Sequence, residues 1–393
     1  MAVISPLADR VRVAEPGAGA LAPRVIDAGA FHEWSSTLTL TPYMEPAWAE
    51  LVTRQGDRGG PLRLATNWLY RNPLHGNKAA SAYPPKGAPG SDRDMVAGLP
   101  GERLVLGYDE GLLATGFAYH YFARTAIRAA NDWTVDQWLN YDPRFYGLVL
   151  VATGMPEEAA AEIRRVGTHE RMVGIALGAN GLGLPFGHPA YHPIYEAANE
   201  LSLPIVLQVG SDAMTDMITP PVAGGLPSTY AEYKVLGGQP LMTHAVSLIT
   251  EGVFDRHPDL RVLLLGCGAA WLPGYLWRMD YWGKTNRLEA PWMQMPPSAY
   301  FMKHMRITTY GLEWPREPER LIRALSTIPN VEDILLYASG YPNSDFESAD
   351  EVAAKLPEAW RARVMYENAD GFFRWPATSP AADASAVAGS ERK

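Results

Sequence analysis

The chain has 393 residues, of which 47% are hydrophobic and 10% aromatic, enough to fill a substantial core in one large domain or two modest ones. Its 34 basic residues against 43 acidic ones leave a net charge of -9 without a basic cluster, which excludes nucleic acid and anionic membrane as expected partners. A single cysteine, Cys267, excludes an intramolecular disulfide and a zinc site built from thiolates.

Residues 1–23 are rich in Ala, Gly and Pro, and residues 377–393 in Ala, Ser and Asp, so both read as flexible tails around a domain spanning 24–376. The start lacks a basic segment followed by an apolar run, and no stretch approaches the roughly 20 apolar residues of a membrane-spanning helix. A cytoplasmic location is the expectation. Short apolar runs fall at 24–28, 103–107, 145–152, 172–177, 204–209, 261–265, 305–309 and 334–338. Amphipathic segments separate them, and eight such runs predict an α/β fold, a closed (β/α)8 TIM barrel.

The first two strands are joined by an unusually long connection, with an insertion at 55–102. Loops that follow barrel strands lie on the ligand-binding face, so this one is expected to cap a pocket or reach a neighbouring subunit. Trp68, Leu69 and Tyr70 make it too apolar for a purely solvated loop, and with Trp68, Tyr70 and Tyr83 it is expected to contribute a protein interface. The aromatic block FAYHYFARTAIRAANDW at 117–133 predicts a helix. Its Tyr119, His120 and Arg124 are candidates for lining a ligand cavity, against the simpler reading of a core or interface stripe. Pro156 opens a second helix, with Glu157 and Glu158 early and Arg164 and Arg165 late, as the helix dipole prefers. His188 and His192 are spaced for one helical face, but Pro189 and Pro193 interrupt them, which favours a structural role over metal ligation. Pro193 then opens IYEAANEL before the fifth strand.

Three later segments carry a resemblance: LPIVLQVG (203–210), EGVFDRHPDLRVLLLGCGAAWLP (251–273) and LLYASGYPN (335–343). They resemble the amidohydrolase superfamily, in particular the branch typified by aminocarboxymuconate semialdehyde decarboxylase. That resemblance implies a metal centre at the C-terminal ends of the strands, and the residues at the corresponding positions depart from it. A first strand ending in IDxDxH or IDxHxH supplies two ligands, because alternate strand residues point to the same side. Here VIDAGAF places Gly29 and Phe31 there. Gln208 stands for the fifth-strand histidine of PVxxHxG, Gly266 for the acid or ligand of the next strand, and Gly340 and Asn343 for the aspartate and histidine of SDYPH. None of these is a good zinc ligand. The resemblance therefore implies a degenerate member with no metal ion, and no cofactor is expected.

Among the remaining polar groups, His32 lies one residue beyond the expected ligand position, and that offset should turn it to the other face, leaving a substitute ligand or a capping or surface role with Glu33 as its alternatives. His244 is the histidine read as directed at a pocket mouth, with Gln208 and Asn343 as further lining candidates. Cys267 is either a nucleophile or, as free cysteines more often are, a small buried apolar residue. Asp212, Asp216, Glu251 and Asp345 sit near expected strand ends or helix starts, where carboxylates usually cap. No GxSxG, phosphate-binding glycine loop or dinucleotide fingerprint is present. Two functions follow. The first is a noncatalytic pseudoenzyme subunit supporting an intact amidohydrolase paralogue, as a homodimer or heterodimer. The alternative is a metal-independent lyase, hydratase or cyclase acting on an aromatic or unsaturated carboxylic acid, a small organic acid ligand held in the barrel pocket.

Overall fold

The computed structural model describes residues 24–55 and 91–376, except 33, 35, 109, 117–118, 179–181, 209–231, 233–234 and 344. Eight parallel strands run in sequence order around the sheet: β1 (Ile26–His32), β2 (Arg103–Tyr108), β3 (Phe145–Leu150), β4 (Met172–Leu177), β5 (Ile205–Gln208), β6 (Val262–Leu265), β7 (Met305–Thr308) and β8 (Leu335–Leu336). Apart from Arg103 and Arg306, the strand residues are buried, as expected for a parallel sheet covered by helices on its outside and packed within.

The sheet closes on itself. The Ala28 N–H donates to the Tyr337 carbonyl at 2.9 Å, the Gly340 N–H to the Gly29 carbonyl at 2.9 Å, and the Phe31 N–H to the Tyr341 carbonyl at 2.7 Å. Asp27 locks this seam, because its Oδ1 accepts the backbone N–H of both Gly29 and Ser339 at 3.0 Å. The fold is a (β/α)8 barrel. Each predicted apolar run meets a strand, but β1 starts two residues later than the run and extends to His32. It does so because it is flanked on both sides: β2 pairs with it out to Tyr108, and the segment after β8 continues to Tyr341.

Between β1 and β2 the described chain forms a 3-10 turn (Thr37–Tyr43) capped by Ser36, then α1 (Pro46–Gln55) and α2 (Ser91–Ala97). Arg144 anchors the return to β2 by donating to the carbonyls of Ala97, Leu99 and Gly101. Trp68, Leu69, Tyr70 and Tyr83 lie outside the described residues, as do the 1–23 and 377–393 tails, Asp212 and Asp216. The outer layer continues with α3 (His120–Trp133), α4 (Pro156–Val166) and α5 (His192–Glu200). After β5 come α6 (Gln239–Thr250) and α7 (Val253–Arg256), and after β6 come α8 (Leu272–Thr285) and α9 (Pro297–His304). The last are α10 (Glu319–Leu325), α11 (Ala349–Lys355), α12 (Glu358–Ala362) and α13 (Asn368–Phe372).

One buried polar network ties this layer to the barrel. Asn131 of α3 exchanges hydrogen bonds with both backbone groups of Leu150 at 2.9 Å and donates to Glu162 of α4 at 2.8 Å. Glu162 in turn pairs with Arg165 at 2.7 Å, which also reaches Asp132. Every buried member has a partner, the condition under which such a network stabilises rather than costs. Among the described residues no helix is long and apolar enough to cross a membrane.

Candidate functional site

The inward-facing positions at the C-terminal ends of the strands are where a barrel enzyme carries its chemistry. Here they hold a packed apolar plug. Gly29 and Phe31, two residues apart on β1, share the inner face. A Cβ built on Gly29 would lie 2.7 Å from Leu265 Cδ1 and 3.0 Å from the Ala338 Cβ, so the Leu265 side chain occupies the space a larger residue at 29 would need. The Phe31 ring lies against Gly107 and meets the Tyr310 ring edge to face, with centroids 5.6 Å apart. Tyr310 covers Gly340, which has φ +70° and no room for a side chain beneath that ring.

Gln208 at the end of β5 closes the plug. Its Nε2 donates to the Tyr108 carbonyl and its Oε1 accepts the Tyr108 N–H at 3.3 Å, so the amide engages both backbone groups of the last β2 residue. Asparagine or glutamine presents its donor and acceptor side by side and can satisfy a backbone unit in this two-way fashion, whereas the two ring nitrogens of a histidine point apart. The Gln208 amide is therefore committed to the fold.

His32 points away from this interior, toward the helix layer. Its ring lies parallel to Trp133 at 5.6 Å, with Nδ1 at 2.7 Å from the Gly107 carbonyl and Nε2 at 2.9 Å from Thr134 Oγ1. Burial pulls its pKa down to about 4, so it is neutral near pH 7. His244, buried on α6, accepts the Phe186 N–H at 3.2 Å through Nδ1 and packs on the Phe186 ring. Burial lowers its pKa to about 3. Cys267 is buried, its thiol bonded to the Gly268 carbonyl and its pKa raised first by burial and then by the Glu313 charge. Such a thiol is inert rather than nucleophilic.

Other sequence candidates separate in space. Asn343 is half-buried in the turn after β8, its backbone N–H donating to Gly340 and its carbonyl accepting from Phe346. Gly266, φ +83°, donates its N–H to Thr308 Oγ1 at 3.1 Å. His188 caps a short turn through the Ala190 N–H, while His192 is buried with Nδ1 3.2 Å from His257 Nε2, so the two are not ligands on one face. Glu251 closes α6 on the surface. Tyr119 is exposed beside Phe122, His120 lies over Gly154, and Arg124 pairs with Glu158 at 3.4 Å, which places these three on the outer helices.

Sequence reasoning missed Leu265 and Tyr310, the residues that fill the interior opposite the glycines. It also left unconnected the contact that the strand ends make with a carboxylate: the Tyr310 hydroxyl donates to Asp345 Oδ1 at 3.0 Å. Asp345 is exposed, and the neighbouring Phe346 and Tyr341 rings meet edge to face at 5.3 Å. This rim, formed by the segments after β7 and β8, combines flat aromatic faces with a hydrogen-bonded carboxylate. Nearby, Glu313 accepts the N–H groups of Ala269 and Ala270 at 2.9 and 3.0 Å, and so serves the turn into α8.

A divalent metal of the zinc or manganese type needs several imidazole, thiolate or carboxylate donors converging at about 2.0–2.3 Å. Among the described residues no three His, Cys, Asp or Glu side chains are so grouped. Glycine and phenylalanine offer no donors, Gln208 is engaged with Tyr108, and Leu265 stands in the intervening space. The described residues do not fit such an ion.

A family model described as amidohydrolase matches residues 99–375. A gamma-resorcylate decarboxylase of Polaromonas sp. (strain JS666 / ATCC BAA-500) is 27% identical over 267 residues, covering 64% of this chain and 77% of that protein. Among solved structures, an amidohydrolase from Mycobacterium avium subsp. paratuberculosis K-10 superimposes with a TM-score of 0.64 at 15% identity, covering 90% of this chain and 98% of the other. A 5-carboxyvanillate decarboxylase from Novosphingobium aromaticivorans DSM 12444, complexed with manganese and 4-hydroxy-3-methoxy-5-nitrobenzoic acid, gives 0.60 at 20% identity, covering 89% and 96%. At these identities the structural matches speak for the fold alone.

Proposed function

The chain belongs to the amidohydrolase family, and from that premise we propose that it is a lyase acting on an aromatic carboxylic acid, without a resident metal ion. The observation that carries this reading is the sequence similarity to gamma-resorcylate decarboxylases over 267 residues. The chemistry it asks for is modest. Decarboxylation of a hydroxybenzoate places a proton on the ring carbon that bears the carboxylate. The carbon–carbon bond then breaks, its electron pair restores the aromatic ring, and carbon dioxide leaves. An acid beside a flat apolar surface serves that step.

On this chain the Tyr310–Asp345 pair is the candidate to engage the substrate, with the Tyr310 hydroxyl donating to Asp345 and orienting that carboxylate at the rim. Phe346 and Tyr341 supply the aromatic wall. The reading is tested by incubating the protein with a panel of hydroxybenzoates, 2,6-dihydroxybenzoate first, and following the decarboxylated phenol by chromatography. Turnover is expected, and Asp345→Asn should reduce kcat by roughly 100-fold or more. No turnover of any member of the panel would end the proposal.

A second reading is favoured by the plug itself. Leu265, Phe31, Gln208 and Tyr310 fill the interior in which the family's ligands would bind, as a noncatalytic subunit supporting an intact amidohydrolase paralogue would tolerate. Its signature would be a protein silent on the whole panel that raises the activity or solubility of such a paralogue when the two are co-expressed.

A further inference from the structure

A cavity of about 330 Å³ lies at the opposite end of the barrel from the Tyr310–Asp345 rim, beside the N-terminal ends of β3 and β4. Small-molecule sites begin at about that size. Leu139, Pro143 and Pro376 give it apolar walls, Asn140 and Glu170 edge it, and Tyr146 and Arg171 complete the lining. Residues at this end of a barrel ordinarily serve stability. Tyr146 and Arg171 carry groups that this role leaves unused.

Tyr146, the second residue of β3, is 2% exposed, and its ring meets Trp375 edge to face at 4.9 Å. A tyrosine hydroxyl this buried finds a hydrogen-bond partner as a rule. Those of Tyr108, Tyr195 and Tyr337 in the same barrel donate to the carbonyls of Leu148, Phe186 and Glu347. The Tyr146 hydroxyl has no partner among the described residues, and it is not one of the fully enclosed orphan atoms, which are Trp34 Nε1 and Asp255 Oδ2. The charges that act on it are those of Arg103, Arg171 and Glu170, and the last two line the cavity, so the hydroxyl end of the ring faces that space. Burial raises the phenol pKa, which keeps the group protonated and able to donate.

Arg171 stands half-buried just before β4. Its guanidinium donates to the Leu139 carbonyl and, at 3.4 Å, to the Asp142 carbonyl and Asn140 Oδ1. These bonds hold the group in place without neutralising it. The Asp142 carboxylate is paired with Arg144 at 2.7 Å, and among the described residues no carboxylate forms an ion pair with Arg171. The uncompensated charge reaches His169, whose pKa is lowered first by burial and next by Arg171. Glu170 is exposed, so water and salt screen its charge more than that of Arg171.

We propose that this cavity is a second ligand site and that it takes a small organic carboxylate. The carboxylate lies on Arg171 and the Tyr146 hydroxyl, and the hydrocarbon body lies against Leu139, Pro143 and Pro376. The site is independent of the chemistry proposed for Tyr310 and Asp345. Ligand-observed NMR titration of the full chain tests it with benzoate, which should bind with a dissociation constant of about 1 mM. Benzyl alcohol, which has the ring without the charge, and phosphate, which has the charge without the ring, should each bind at least about 10-fold more weakly. Tyr146→Phe keeps the ring and every backbone contact, and should weaken benzoate about 3- to 10-fold through the loss of one hydrogen bond. Arg171→Gln should weaken it about 10- to 100-fold. In a crystal soaked with 4-iodobenzoate, anomalous scattering should place iodine in this cavity. Absence of benzoate binding would overturn the proposal, as would phosphate binding as tightly as benzoate. So would affinity unchanged in Tyr146→Phe, or iodine found only at the opposite rim.

Discussion

The packing of Leu265 over Gly29 makes a quantitative prediction. Gly29 has ordinary strand backbone, so Gly29→Ala gains about 0.4–1 kcal/mol from the less flexible unfolded chain. Against this, the new methyl would stand 2.7 Å from Leu265 Cδ1, and overpacking of this kind costs about 1–3 kcal/mol. Leu265 is fully buried, so Leu265→Ala alone should cost about 2.7–5 kcal/mol through lost burial and the cavity left behind. In the double variant the methyl introduced at position 29 moves into the vacated volume, so the clash disappears and part of the cavity is refilled. The double variant should then be more stable than the sum of the single changes requires, by about 1–2 kcal/mol. Equilibrium urea unfolding followed by tryptophan fluorescence measures all four proteins. Additivity within about 0.5 kcal/mol would refute the claim that these two residues compete for one space at the barrel mouth.

Stability should also fall in mild acid. His32 and His244 have pKa values lowered by burial to about 4 and about 3, below the 6.5 of the unfolded chain, so their contribution is complete above pH 6.5 and is lost as pH falls toward 4. Urea midpoints from pH 7.5 to 4.5 should show a loss approaching about 1.4 kcal/mol per pH unit per histidine. A flat profile would contradict the buried neutral assignments. Gln208→Ala, which strands the Tyr108 N–H and carbonyl, should cost about 1–3 kcal/mol in the same assay. A loss too small to measure would mean the amide is free for a ligand. Tyr310→Phe should retain the fold while lowering any hydroxybenzoate turnover less than Asp345→Asn does, which a comparison of kcat values checks.

The barrel was legible because each strand is a short run of buried apolar residues flanked by helical pattern, and burial on both faces of a parallel sheet leaves that signature in the sequence. Pro156, with its early acids and late arginines, marked α4 at the observed boundary. What sequence could not supply was the partner across the barrel. Gly29 reads as a missing ligand, but that its missing side chain leaves space for Leu265 depends on strands β1 and β6, which are far apart in the chain. Tyr310 belonged to no motif, and its contacts with Phe31, Gly340 and Asp345 exist only once β7 and β8 end side by side. His244 was placed near a pocket by its position after the fifth strand, yet its ring is turned by α6 onto Phe186. The strand-period argument for His32 concerned only the direction of its side chain, whereas the Thr134 hydroxyl that holds it lies more than a hundred residues on, at 134.

The central proposal is that this barrel works without a metal centre, since Leu265, Phe31 and Tyr310 fill its described interior. Elemental analysis tests it most directly, on protein produced in medium supplemented with manganese, zinc and iron and passed through gel filtration. Far less than one ion per chain is the predicted result, with hydroxybenzoate turnover unchanged by a chelator. One ion retained per chain, released only on unfolding, would contradict the account.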